Sequence, residues 1–320
     1  MLQPCQDNYS TTFDSYERMR RYHEKESAES LWRRCKVNEL HIEPLDKMSP
    51  LYETPSAFAA GVSRASIEDT AENLGLALQV EGAYYPVRST AYKSLLDRAK
   101  INGTALPKLS RQKLASVLND CLALYSAETL LLIRDEKISA THSGDSMDYS
   151  VLPIDELLKV LTRKLDDRFA GNVFQGGYCD HALAVASWSM PGQKEDLLGA
   201  YAKLLESKKK TALAAKLVPS IRFVTSDTGV ASAKVSAMLE GTQHPSHNGS
   251  CIAVDHRHQS KVEDFETAMN QLFAQFGDSV AKLQKLLEIP LSYPVNAMTR
   301  ICKKLVLPKK AALEACLLYT

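Results

Sequence analysis

Apolar residues recur at spacings of three and four from Val262 through Phe265, Met269, Leu272, Phe273, Phe276, Val280, Leu283 and Leu287. That period predicts an amphipathic helix, which Ser260 and Glu263 would open as a capping box and Pro290 would stop. At about 1.5 Å per residue it would run roughly 40 Å, with Gly277 a point for a kink. Just upstream the pattern is shorter and strand-like. Ile221–Thr225 reads as a strand, Ser226-Asp227-Thr228-Gly229 as a tight turn, and Val230–Met238 as its partner. After a polar loop, Cys251–His258 reads as a third strand.

The rest of the chain divides by the same criterion. Residues 1–30 carry no steady apolar period and read as a polar tail or a loosely docked helix. Residues 31–128 read as a mainly helical layer. Ile67, Ala71, Leu74 and Leu78 share a helical spacing, as do Tyr92, Leu95, Leu96 and Ala99. Thr90 would cap the second of these helices and Asn102-Gly103 would end it. Ser110 would cap a third, with Leu114, Val117, Leu118, Cys121, Leu122 and Tyr125 inward. Residues 129–320 read as an α+β core. It starts with a hairpin (Leu130–Arg134 and Lys137–His142 around Asp135-Glu136), followed by a helix with Ile154, Leu157, Leu158, Leu161 and Leu165 inward. Gln175-Gly176-Gly177 reads as a turn, and His181–Trp188 as a strand alternating on Leu183, Val185 and Ser187. Asp196–Ser207 reads as a helix, and Val295–Leu305 and Pro308–Leu318 as two closing helices. The expected fold is α+β, an antiparallel sheet packed against long helices.

Composition narrows the function classes. With 39 Lys and Arg against 38 Asp and Glu, the net charge is +1, so any attraction to nucleic acid must come from a local patch. No apolar run approaches the roughly 20 residues a membrane helix needs. The N-terminal stretch has no apolar signal core. Seven cysteines, odd in number and without paired spacing, fit free thiols in a reducing compartment, so the expected location is the cytosol.

Candidate chemistry concentrates near the third strand. His244, His247, Cys251, His256 and His258 are the densest set of potential metal ligands. Their spacing matches no common zinc pattern, and on a strand Cys251 and His256 would point to opposite faces. No metal or other cofactor is therefore expected. Arg257, His258 and Lys261 at the start of the long helix suit an anion, with Lys234 and Arg222 on neighbouring strands extending the patch and Lys208, Lys209 and Lys210 as its rim. Cys179 with His181 lacks an orienting partner for nucleophilic catalysis. His142 with Asp145 and Asp148 offers an acid–base group in a turn that favours Asp for backbone reasons alone. Trp32, Tyr84, Tyr85, Tyr92 and Trp188 are candidate stacking surfaces, most of them expected in the core. No catalytic residue is assigned.

Four stretches together resemble the uncharacterised phage/plasmid-like protein family of prophages and conjugative plasmids. They are Ile133–Ser143, Pro153–Leu158, Phe223–Gly229, and His247-Asn248-Gly249 through His258 before the long helix. The similarity spans Thr129–Leu313. Thr225 stands where the family has Asn, and Cys251 follows Asn248-Gly249 instead of preceding it. The resemblance implies a mobile-element context without an established reaction.

Two functions are consistent with these features. The first is a nucleic-acid-binding protein, oligomeric and favouring single-stranded DNA, with an element order similar in outline to recombination annealing proteins. The second is an anti-defence protein that blocks a host nuclease or CRISPR effector by protein–protein contact, presenting a mixed surface instead of a basic groove.

Overall fold

The protein is described from a computed structural model, which covers residues 3–195, 218–240 and 246–274, with positions 199, 203, 206, 292, 293, 295–297, 299 and 300. For residues 239–240 and 246–250 the description is of backbone alone. The fold is α+β, with antiparallel sheets packed on helices. Expected helices in Asp196–Ser207, beyond residue 274 and in the C-terminal stretch lie largely outside the described residues.

The largest sheet has six strands. In spatial order they are β1 (Ser10–Phe13), β8 (Val173–Asp180), β9 (Ala184–Ser189), β10 (Val218–Thr225), β11 (Ala233–Glu240) and β12 (Ser246–Val254). A second sheet joins β2 (Leu31–Lys36), β6 (Glu128–Arg134) and β7 (Lys137–Ser143). A third joins β3 (His41–Pro44), β4 (Leu76–Val80) and β5 (Ala83–Pro86). On β10 the alternation is plain: Ile221, Phe223 and Thr225 are buried while Arg222 is exposed. The inner face packs on α1 (Tyr16–Glu29), α5 (Ile154–Arg168) and the helical residues 262–274 (α6). Met19, Leu157, Leu161, Phe265 and Met269 lie in that core. A second core joins the β2–β6–β7 sheet to α3 (Ala91–Ala99) and α4 (Arg111–Leu122) through Leu95, Leu118, Leu131 and Ile138.

Several local readings change in the folded chain. Residues 31–128 interleave four complete strands with helices. Of the stripe Ile67 to Leu78, only Arg64–Glu72 is helical (α2). Gly75 turns the chain at φ +70°, and Leu76–Val80 continues as a strand whose inward residues extend the apolar run. Thr90 does not cap α3; it sits in helical backbone and its hydroxyl donates to Ser139 O at 3.0 Å. Ser110 does cap α4, accepting from Lys113 N. Gln175-Gly176-Gly177 is a bulged part of β8 rather than a turn. A Cβ on Gly177 would lie 2.5 Å from Met19 Sδ, so glycine there lets α1 approach the sheet. In β9 the buried phase is Ala184, Ala186 and Trp188, opposite to the expected one. Trp188 sets that phase by packing against Tyr16 and Phe174, and a one-residue shift reverses every side chain.

Residues 3–30 are docked. β1 pairs with β8, and Met19 and His23 of α1 are buried. Asp7 reaches the buried Lys137 at 3.0 Å and accepts from Ser89 N at 2.8 Å. The signal is sparse because polar residues fill the outer face of α1, as ion pairs such as Arg18–Asp14 and Arg20–Glu24 attest.

At the centre, Arg134 closes the tip of β6. Its Nη2 lies 2.6 Å from Asp227 in the β10–β11 turn, and its Nε donates to Ser30 Oγ at the end of α1 at 2.8 Å. Both partners of the ion pair are largely buried. Removing one charge strands the other, which costs about 3–5 kcal/mol for a buried pair. We therefore expect Asp227→Asn to lower unfolding free energy by about 3 kcal/mol in urea melts. Arg134→Met combined with Asp227→Asn should cost less than the sum of the single changes, as a double-mutant cycle would show.

Candidate functional site

The β6–β7 hairpin and the β10–β11 turn meet where a cleft of about 980 Å³ opens. One wall is α3, with Lys93, Asp97, Arg98 and Lys100. The floor is the end of β7 with His142, together with Asp148 and Tyr149. The far wall is the turn Thr228–Ser232 and the segment Asp255–His256–Arg257. The placement of α3 follows from its stripe: Leu95 and Ala99 are buried in the second core, leaving Lys93, Asp97 and Lys100 exposed. Ser94 and Thr90 bind the backbone of β7 and hold the helix against the strand.

The floor is a stack of rings. His142 and Tyr149 lie face to face with centroids 3.5 Å apart and planes 3° from parallel. Tyr149 continues to His256 at 5.7 Å, and Trp32 flanks the pair, 6.1 Å from His142 and 6.2 Å from Tyr149. The Asp227 carbonyl accepts from both Tyr149 Oη and His142 Nε2, each at 2.8 Å. His142 is thereby the Nε2–H tautomer. Burial pushes its pKa down to about 4 against an ordinary 6.5, the carbonyl hydrogen bond opposing only in part. His256 is lowered for the same reason; its Nδ1 lies 3.2 Å from Ser150 O and its Nε2 3.4 Å from Thr225 Oγ1. Burial raises the Tyr149 hydroxyl well above its usual range. These groups form a neutral, rigid floor.

Charge resides on the walls. Lys93, Arg98, Lys100 and Arg257 line the cleft beside Asp97, Asp148 and Asp255. Asp148 accepts from Ser143 Oγ at 3.1 Å, and Asp255 from Ser232 Oγ. Arg98 is half-buried and its Nε has no hydrogen-bond partner among the described residues. Burial lowers its pKa, while Asp97 and Asp148 act in the opposite direction without forming an ion pair. The arrangement offers donors and positive charge without a nucleophile beside a base.

Of the residues expected to bind an anion, Arg257 lines this cleft. Arg222 lines a separate cavity of about 400 Å³ with Tyr178, Ser187 and Met238. Lys234 is exposed opposite Val224 on the same sheet face. His258 and Lys261 are exposed near the start of α6, outside the cleft lining. Lys208, Lys209 and Lys210 lie outside the described residues. The expected patch is thus split between two places. The start of α6 offers an anion little, because Asp264 Oδ2 already accepts from Lys261 N and would repel a phosphate. Asp264, not Glu263, makes that cap. The backbone N–H groups of His258 and Gln259 donate to Met147 O and Ser146 O.

The other candidate groups also resolve. β12 ends at Val254, so His256 leaves the strand and turns inward while Cys251 and His258 stay exposed. His244 lies outside the described residues, as does the side chain of His247. Burial pushes the Cys179 thiol well up, and His181 is turned to Gln6 O at 2.8 Å. His142 is hydrogen-bonded to the Asp227 carbonyl, whereas Asp145 accepts from Met147 N. Trp188 is core. The cations at α3 escaped the sequence reading, although Lys93 and Arg98 flank the stripe Tyr92, Leu95, Leu96, Ala99 and Lys100 closes the helix.

The depressed His142 pKa makes stability depend on pH. Between pH 6.5 and about 4 the unfolded imidazole binds a proton that the buried one refuses, so stability falls as pH falls through that window. In His142→Phe the ring stack is retained and the titration is lost. We expect the variant to be less stable at pH 7, with the deficit shrinking by up to about 3 kcal/mol toward pH 4 in paired urea melts. No helix among the described residues is long and apolar enough to cross a membrane. No family model, curated protein or solved structure matches the chain.

Proposed function

We propose that this chain binds nucleic acid, single strands foremost, along the cleft between α3 and the β10–β11 turn. The observation that carries this reading is Arg98, a half-buried cleft-wall guanidinium that has no ion pair among the described residues, its Nε itself being buried. Lys93, Lys100 and Arg257 surround it, and none of the four has a carboxylate within ion-pair distance among the described residues. Cations without a direct ion pair around an open polar cleft suit a phosphate backbone, since phosphate neutralisation supplies most non-specific affinity. The mobile-element context rests on the family resemblance alone, and oligomerisation remains part of the proposal.

The aspartates favour a second reading. Asp97, Asp148 and Asp255 alternate with the cations, a mixed surface that also suits a protein partner such as a host defence enzyme. The two readings differ in sign at Asp97. Removing its charge strengthens attraction to phosphate, while a protein partner with complementary charges loses a contact.

Anisotropy titrations with labelled single- and double-stranded oligonucleotides over a salt series test the proposal. We expect salt-sensitive binding, tighter for single strands. In a folded Lys100→Glu/Arg257→Glu variant it should weaken, with the slope of log affinity against log salt reduced by about 1.4 for two lost phosphate contacts. Asp97→Asn should bind more tightly. Absence of binding at low salt would sink the nucleic-acid reading and leave the protein partner.

A further inference from the structure

Away from the cleft, α1 and β8 enclose a second group of chemically active side chains. His23 and Glu26 stand three residues apart on the inward side of α1, the spacing that places two helical side chains on one face. Cys179 faces them from β8. One ligand atom from each lies within 4.8 Å of the others. His23 and Cys179 are buried and Glu26 nearly so.

His23 is only partly satisfied. Its Nδ1 lies 3.3 Å from Glu26 Oε2, while its Nε2 is buried with no hydrogen-bond partner among the described residues. Nδ1 and Oε2 already stand at the separation of two ligands on one tetrahedral ion, which leaves Nε2 as an N–H without an acceptor. Buried polar atoms of this kind are rare and call for an explanation.

The surrounding charges point the same way. Arg134 faces two carboxylates, Asp227 at 2.6 Å and Glu26 at 4.0 Å. One guanidinium against two carboxylates leaves a negative excess in the interior. A divalent ion together with a Cys179 thiolate would balance it.

We propose that His23, Glu26 and Cys179 hold a borderline-soft divalent metal ion, zinc foremost, that ties α1 to β8. Imidazole, thiolate and carboxylate are the donors zinc takes, and bonds of about 2.0–2.3 Å place tetrahedral ligand atoms roughly 3.3–3.8 Å apart. The clustered atoms reach that spacing by small side-chain rotations. On binding, the Cys179 S–H bond breaks, the sulfur–metal bond forms and the proton passes to solvent. Three protein donors leave the fourth tetrahedral position to a water, and the site lies under α1, away from the cleft.

The test uses the full chain purified from zinc-supplemented cells and, separately, the chain loaded with cobalt(II). We expect one zinc per chain after gel filtration and a thiolate-to-cobalt charge-transfer band in the near ultraviolet. His23→Gln and Cys179→Ala should each weaken zinc binding by about 100-fold or more, while Cys251→Ala, at an exposed thiol on β12, should leave it unchanged. Absence of the cobalt band from the folded wild-type chain would overturn the assignment, and that result does not depend on whether the variants fold. A band that survives Cys179→Ala or disappears in Cys251→Ala would overturn it as well.

Discussion

Arg134 and Asp227 form the joint on which the rest of the molecule turns. Arg134 belongs to the β2–β6–β7 sheet and Asp227 to the β10–β11 turn of the six-stranded sheet, and their side chains meet in the interior at 2.6 Å. Each has further partners. Arg134 also reaches Ser30 at the end of α1, and the Asp227 carbonyl accepts from His142 and Tyr149. One residue pair thus joins two sheets, a helix end and the ring stack. A buried pair need not stabilise a protein more than apolar residues would. What it does impose is geometry, since a bent or shifted turn would leave several buried polar groups without partners.

The cleft is a consequence of that joint. Its floor is the stack His142–Tyr149–His256, which the Asp227 carbonyl holds by two hydrogen bonds and Trp32 flanks. Gly229 suits the turn because its φ is +76°, a left-handed backbone that favours glycine; a Cβ there would meet His142 Cε1 only at an ordinary 3.4 Å. The walls come from elements with no other reason to meet, α3 packed on β7 and the segment after β12. Since the floor is held neutral by burial, the charge of the cleft resides on its walls, which lie nearer solvent and respond to salt.

The interior separates into two electrostatic regimes. Near the cleft, histidines are kept neutral by burial. Near α1, ionised groups are retained by mutual pairing. Glu26 shows the balance: burial raises its pKa, yet His23 and Arg134 outweigh burial and hold it below the usual carboxylate range. Asp135 goes the other way, raised to about 6 because burial exceeds the help from Arg88.

The sequence alone determined the elements whose signals are local. The β6–β7 hairpin is legible because Asp135 and Glu136 take positive φ between two apolar runs, the turn that suits a tight hairpin. The period on α5, the Ser110 cap and the strand pair around Ser226–Gly229 are equally local. The tertiary structure decided what depends on a partner far along the chain. Trp188 chose the face of β9, Met19 required Gly177 inside a strand, and Asp7 found Lys137 across 130 positions. The candidate sites belong to this second kind. Arg98, His142 and Arg257 carry no spacing that announces a cleft, nor do His23 and Cys179 announce a ligand set. Local period reports which side of an element is buried, whereas a site depends on which buried or exposed sides the folded chain brings together.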